Sequence, residues 1–249
     1  MKQLIVLNLL LLLIFPELNL LAQDEDISFT FFGHYNVPTS RFSEKIGADP
    51  KITRRFGFDF GEKAGLANPG YGLGVEMAKP IFIDNLAWVI SSKLIVNPVD
   101  VSEINSFFKD ELGDTIGISF ENGNWLNIPI FTGFSYGYDF TKNFSLCGTV
   151  QCGINITQQA SRKAVVEGNV VENTTFKITP DFGFEAGIGF ELFKKYNLGV
   201  RYLNLGSPRY EGTRKLNEKF FTSIPKREMN VDGDERPISM VLIMLGYKF

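Results

Sequence analysis

From Asp181 to Leu192 the chain sorts its side chains by parity without a single exception. Phe182, Phe184, Ala186, Ile188, Phe190 and Leu192 alternate with Asp181, Gly183, Glu185, Gly187, Gly189 and Glu191. Successive side chains of an extended strand point to opposite faces, so this segment has one apolar face and one face of glycine and carboxylate. The separation recurs. Ile128, Ile130, Phe134, Tyr136, Tyr138 and Phe140 oppose Asn127, Phe131, Gly133, Ser135, Gly137 and Asp139. Phe144, Leu146, Val150, Ile154 and Ile156 oppose Ser145, Thr149, Gln151, Asn155 and Thr157. At the carboxy terminus Val241, Ile243, Leu245 and Tyr247 share one face, and Leu242, Met244, Gly246 and Lys248 the other. Such strands belong in a sheet with an apolar medium on one side and a polar interior on the other.

Alternation and turn residues together predict eight strands, at 27–37, 71–82, 86–97, 125–140, 144–157, 176–192, 198–206 and 238–249. The connections at 83–85, 141–143 and 193–197 are short and polar, whereas those at 38–70, 98–124, 158–175 and 207–237 are long. Long and short alternate throughout. An even-stranded antiparallel barrel with both termini on the periplasmic side gives this rhythm: four long outer loops and three short inner turns. A soluble sandwich has no reason to segregate loop lengths in this way. Arg55-Phe56-Gly57-Phe58-Asp59-Phe60, inside the first long loop, also alternates. As a wall strand it would make nine and break the rhythm, so it reads as a hairpin extension of the second strand. The expected fold is all-β, an eight-stranded antiparallel up-and-down transmembrane β-barrel with short periplasmic turns and long extracellular loops.

The amino terminus reads as an export signal. Lys2, an apolar run from Leu4 to Phe15 and Leu20-Leu21-Ala22 before Gln23-Asp24-Glu25-Asp26 give the order of a secretory signal peptide. The expected organisation is a signal peptide over residues 1–22, cut between Ala22 and Gln23, and an outer-membrane barrel domain over 23–249. The remainder has no apolar run long enough for a spanning helix. A barrel needs none, because its lipid face uses only every second residue. The 24 Phe, 8 Tyr and 24 Gly beside a 21% charged fraction fit that economy, and a net charge of -3 argues against a nucleic-acid partner.

The export signal, the eight strands, Trp125-Leu126-Asn127-Ile128-Pro129-Ile130 at the start of one of them, and the final Leu245-Gly246-Tyr247-Lys248-Phe249 together resemble the outer-membrane β-barrel domain family. This is the small OmpA- or OmpX-like group often labelled porin family. The resemblance covers the whole mature chain. It implies the outer membrane of a Gram-negative cell envelope, contact with outer-membrane lipid, and delivery to the barrel-assembly machinery through the last strand ending at Phe249. An extracellular ligand would meet the long loops.

Parity sends His34, Glu76, Lys93, Lys177, Asp181, Glu185, Arg201 and Lys248 into the lumen. An isolated ion in a narrow barrel costs several kcal/mol, so inward charges must pair or be hydrated. The expected lumen charge network is Glu76, Lys93, Asp181, Glu185 and Arg201. Gly72, Gly74, Gly183, Gly187 and Gly189 share the inward face and leave room for Phe32, Phe131 and Arg201. An eight-stranded interior is just wide enough for side chains, which makes a largely plugged lumen and a structural, surface-binding or adhesive role the leading expectation. A narrow porin-like channel for small solutes is the alternative. A lipid A modifying enzyme using His34, the only histidine, is the second. No catalytic spacing identifies a partner for His34, with Ser40 and Ser91 as guesses, so no catalytic residue is expected. Cys147 and Cys152 are five apart and face opposite sides, which rules out a bond between them along one strand. No cofactor or metal cluster is expected.

Overall fold

The computed structural model describes residues 27–44, 65–102, 118–217 and 228–249, with 51–52, 58–59, 105–106, 109–110 and 219. The signal peptide expected at 1–22 and its cleavage point lie outside the described residues. Eight strands form the wall: β1 Ser28–Pro38, β2 Gly70–Pro80, β3 Leu86–Pro98, β4 Asn124–Thr141, β5 Phe144–Gln158, β6 Ile178–Leu192, β7 Tyr196–Asn204 and β8 Ser239–Lys248. Each pairs antiparallel with its neighbour in sequence, and β1 pairs with β8 from Thr30–Lys248 to Pro38–Met240, so the sheet closes on itself. Closure leaves no unpaired edge, the condition for a sheet to stand in hydrocarbon. The expected fold is therefore the observed one. Four boundaries move by two residues: β2 ends at Pro80, β6 begins at Ile178, and β7 runs from Tyr196 to Asn204; Leu192 pairs with Tyr196, leaving Phe193 to Lys195 as the turn, with Phe193 and Lys194 both left-handed at φ 55° and 57°.

The apolar parity faces outward. On β6 Phe182, Phe184, Ile188, Phe190 and Leu192 are exposed, while Glu185 between them is fully buried. On β8 Ile243, Leu245 and Tyr247 are exposed and Leu242 and Met244 buried. An aromatic girdle circles the short-turn end. Tyr138 meets Phe140 at 4.9 Å between ring centroids, Phe140 meets Phe144 at 5.5 Å and Phe144 stacks on Phe190 at 5.4 Å. Tyr196, Tyr247, Phe249 and Phe31 continue it at 5.5, 4.8 and 5.7 Å. A contiguous apolar surface of this size, bounded by aromatics, is one that lipid must cover. Ile130→Arg or Phe184→Arg, near mid-strand on this face, is expected to cost about 2–4 kcal/mol and to block stable insertion. Heat-modifiable migration on gels after refolding into vesicles checks this, and insertion equal to the parent would refute the face assignment.

The long connections hold structure that periodicity alone did not reveal. Ile118–Asn122, Arg162–Val166, Asn169–Phe176, Arg209–Leu216 and Glu228–Glu235 form a separate five-stranded antiparallel sheet, built from the three connections β3–β4, β5–β6 and β7–β8. In the first connection Phe58–Asp59 pairs with Lys51–Ile52, not with β2, so the hairpin expected at Arg55 to Phe60 has a different partner; 53–57 and 60 lie outside the described residues.

Candidate functional site: a closed ion ring in the lumen

Five wall strands contribute to one ring of side chains. Lys93 on β3 donates to Ser91 Oγ at 2.9 Å, Ser91 donates to Gln151 Oε1 at 2.7 Å, and Gln151 Nε2 donates to Glu76 Oε2 at 2.9 Å. Arg201 on β7 grips Glu76 on β2 through both terminal nitrogens, at 2.6 and 3.2 Å, and donates to Glu185 Oε1 on β6 at 2.8 Å. Lys93 Nζ closes the circuit on Glu185 Oε2 at 2.7 Å. Two cations face two carboxylates, and the ring is neutral.

Register explains who meets whom. Glu76 stands opposite Ser91 and Gln151 opposite Glu185, so these are direct cross-strand neighbours. The two long cations make the crossings. Arg201 and Glu76 come from strands three apart around the wall, as do Lys93 and Glu185. Inward glycines admit the bulk: a Cβ at Gly187 would lie 2.5 Å from Arg201 Cγ, and one at Gly74 would lie 2.4 Å from the Phe32 ring. Phe32 and Phe131 flank Lys93, each with its centroid 5.8 Å from Nζ. Lys93 and Glu185 are fully buried, and Glu76 and Arg201 nearly so. Burying an ion costs several kcal/mol; here every charge faces an opposite charge, and Lys93 and Glu76 also have a neutral polar partner in Ser91 and Gln151.

Four of the five charges expected to form the network, Glu76, Lys93, Glu185 and Arg201, come together in this ring. Asp181 does not. It lies at the long-loop end of β6, where its Oδ2 accepts from Ser207 N at 2.6 Å, so it caps a loop. Lys177 precedes β6 and is exposed, paired with Glu211 at 2.9 Å. Lys248 is held by Glu191 at 2.8 Å near the short-turn end. His34 is buried against Phe32, and neither ring nitrogen has a hydrogen-bond partner among the described residues. Ser91, a guessed partner for it, is engaged in the ring. Cys147 and Cys152 are free, the first on the lumen side and the second on the exposed side. Among the described residues no group of His, Cys, Asp and Glu could hold a metal ion.

Ser91 and Gln151 complete the circuit and were legible only as polar inward residues. Which charges they would join depends on register.

The two halves of the lumen on either side of the ring differ. Toward the long loops it is filled by an apolar core of Ile95, Trp125, Leu203, Leu205, Met240 and Leu242, capped by Phe42 and Tyr210 from the loops, beside buried Asn36, Asn97, Asn127, Asn155 and Thr157, whose side chains hydrogen-bond to one another in two groups. Trp125 sits 5.4 Å from Phe42 and 5.6 Å from Tyr210, and its Nε1 donates to Gly65 O at 2.8 Å. The polar face expected on β4 and β5 keeps its inward Asn127, Asn155 and Thr157 here, whereas Leu203, Met240 and Leu242 of β7 and β8 point inward as apolar residues packed under the loops that cover this mouth. Toward the short turns the lumen holds an open pit of about 460 Å³, with Glu76 and Arg201 on its floor.

No protein-family model matches the sequence, and no curated protein matches it. Solved structures do. The chain is similar to a major outer membrane protein from Thermus thermophilus, at TM-score 0.49 and 12% identity over 90% of this chain and 99% of that one. It is similar to the outer membrane protein OprG from Pseudomonas aeruginosa, at 0.44 and 13% over 89% and 95%. It is also similar to Ail, the attachment invasion locus protein of Yersinia pestis, at 0.44 and 10% over 90% and 99%. The barrel assignment rests on this chain's own strand pairing.

Proposed function

We propose that the protein is an outer-membrane barrel of the small OmpA- or OmpX-like kind, with its lumen closed to solutes and a structural, surface-binding or adhesive role. In this reading the short turns face the periplasm, and the five-stranded loop sheet stands outside the cell as the surface a partner meets. The observation that carries it is the two-part closure of the lumen, a neutral ion ring beneath an apolar core that the loops complete. The narrow-channel reading keeps one point in its favour: the pit already opens part of the lumen, so only the ring and the core would have to part. His34 gains no support as a catalyst, because neither ring nitrogen has a hydrogen-bond partner among the described residues. Delivery through the terminal strand at Phe249 belongs to the same proposal.

Location and orientation are tested together. The protein is expected in the outer-membrane fraction with an amino terminus at or within a few residues of Gln23, as an export signal requires. Lys163 and Lys215, on the loop sheet, are expected to react with a membrane-impermeant amine reagent on intact cells. Recovery of Met1 on the inserted protein, or lysines shielded until the cells are broken, would contradict it.

A further inference from the structure

The short-turn end of the barrel keeps its two signs of charge apart. Asp139 and Glu191 line the pit, where Asp139 accepts from the Ser145 hydroxyl and Glu191 holds Lys248 at 2.8 Å. Two of the turns carry the opposite sign. Lys142 stands in the β4–β5 turn, Lys194 and Lys195 in the β6–β7 turn, all three are exposed, and neither turn contains an acid. Among the described residues none of the three is in an ion pair.

The two turns make one surface. Phe193 N donates to Asn143 O at 2.7 Å, which ties one turn to the other, and Lys248 N donates to Lys195 O at 2.7 Å, which fixes the second turn to β8. The backbone is held while the ammonium groups stay unengaged. The third short turn, 81–85, carries Asp84 and no cation.

Height decides what such a cluster meets. Phe140, Phe144 and Phe190 of the aromatic girdle lie on the strands that lead into these turns, and Phe144 pairs with Leu192, the residue before Phe193. Girdle aromatics settle at the level of the lipid headgroups. The turns just beyond them stand among the phosphates, and the long lysine stems let the charge reach along the interface. Lipid surrounds the wall in any case; the lysines select the headgroup. A zwitterionic headgroup brings its phosphate together with a cation that the lysines repel, whereas an anionic one brings the phosphate without it. The chain as a whole has a net charge of -3, so a preference for anionic lipid has to come from a local cluster.

We propose that the fastened β4–β5 and β6–β7 turns form a headgroup site for an anionic phospholipid, with Lys142, Lys194 and Lys195 around its phosphate. The site rests on the outer-membrane barrel reading; that the lipid belongs to the periplasmic leaflet rests on the orientation proposed above.

Leu192→Trp, on the lipid face beside the site, serves as the reporter, with Trp88→Phe removing the exposed native tryptophan and buried Trp125 left as a constant background. The membrane-extracted protein in nanodiscs is titrated with phospholipid brominated high on its acyl chains, either phosphatidylglycerol or phosphatidylcholine, and quenching gives their relative affinity. Phosphatidylglycerol is expected to win by about fivefold, the effect of an interfacial lysine. Lys142→Gln, Lys194→Gln and Lys195→Gln together should bring the ratio to within about a factor of two of parity, while arginine at all three positions should keep it. Lys142→Gln alone should lower it, because the site spans both turns. A Phe31→Trp reporter, on the same girdle at β1, should show no preference. Equal quenching by the two lipids at position 192, a preference that survives the triple change or ignores Lys142→Gln, or the same preference at position 31 would each overturn the proposal. Should Leu192→Trp fail to insert, Phe190→Trp reports from the neighbouring girdle ring. Both leaflets of a nanodisc have the same composition, and insertion is verified separately by heat-modifiable migration, so failure here leaves the barrel reading and its orientation untouched.

Discussion

Arg201→Met is expected to lower the stability of the barrel in lipid by about 3–5 kcal/mol, the usual cost of removing one partner from a buried ion pair. The guanidinium touches two carboxylates, and its loss leaves Glu76 with Gln151 alone and Glu185 with Lys93 alone. Denaturant unfolding in vesicles measures it. Arg201→Met combined with Glu76→Gln should recover part of the loss, because a neutral pair leaves no orphaned charge. Full additivity of the two changes would mean the ring does not couple them. Glu185→Gln, conservative by size, belongs in the same class of effect: Glu185 is fully buried between Lys93 and Arg201, and neutralising it strands the lysine.

Trp125→Ala is expected to cost about 3–5 kcal/mol, the range for deleting a large aromatic from a packed core. Trp125 is 1% exposed and joins Phe42 from the first connection to Tyr210 from the last. Its deletion should also loosen the loops, seen as proteolytic cleavage between β1 and β2 in the folded barrel. Trp125→Phe, which keeps most of the contact and loses only the bond to Gly65 O, should cost about 1 kcal/mol. An alanine variant as stable and as protease-resistant as the parent would show that the outer mouth is not sealed by this residue.

The wall was legible because lipid imposes a strict rule on it. On β6 every even residue is apolar and every odd one is not, so face and strand follow from parity alone. The lumen obeys a looser rule. Asp181 and Glu185 have the same parity, yet one caps the loop at Ser207 and the other closes the ion ring, because height along a tilted strand decides the neighbours. Met240 and Leu242 point inward and are apolar, and they pack in a core because the loops cover that half of the lumen. The loop sheet did leave a signal. Val165-Val166-Glu167-Gly168-Asn169-Val170-Val171 places two β-branched runs around a two-residue turn, and Glu167 and Gly168 take the left-handed φ values of 48° and 77° that such a hairpin needs. It is short beside the wall strands and pairs only with other loops, so the long-short rhythm passes over it.

Closure of the lumen is the central claim, and steady conductance of the purified protein in a planar lipid bilayer tests it most directly. On the proposed reading, Lys93, Glu185, Arg201 and Glu76 held in a neutral ring, with Trp125, Leu203, Met240 and Leu242 packed above it, leave no continuous water path across the barrel. The expected record is a flat baseline after insertion is verified by heat-modifiable migration. Large, stable open-channel currents from the unmodified protein would contradict the closed lumen and make the narrow channel the better account.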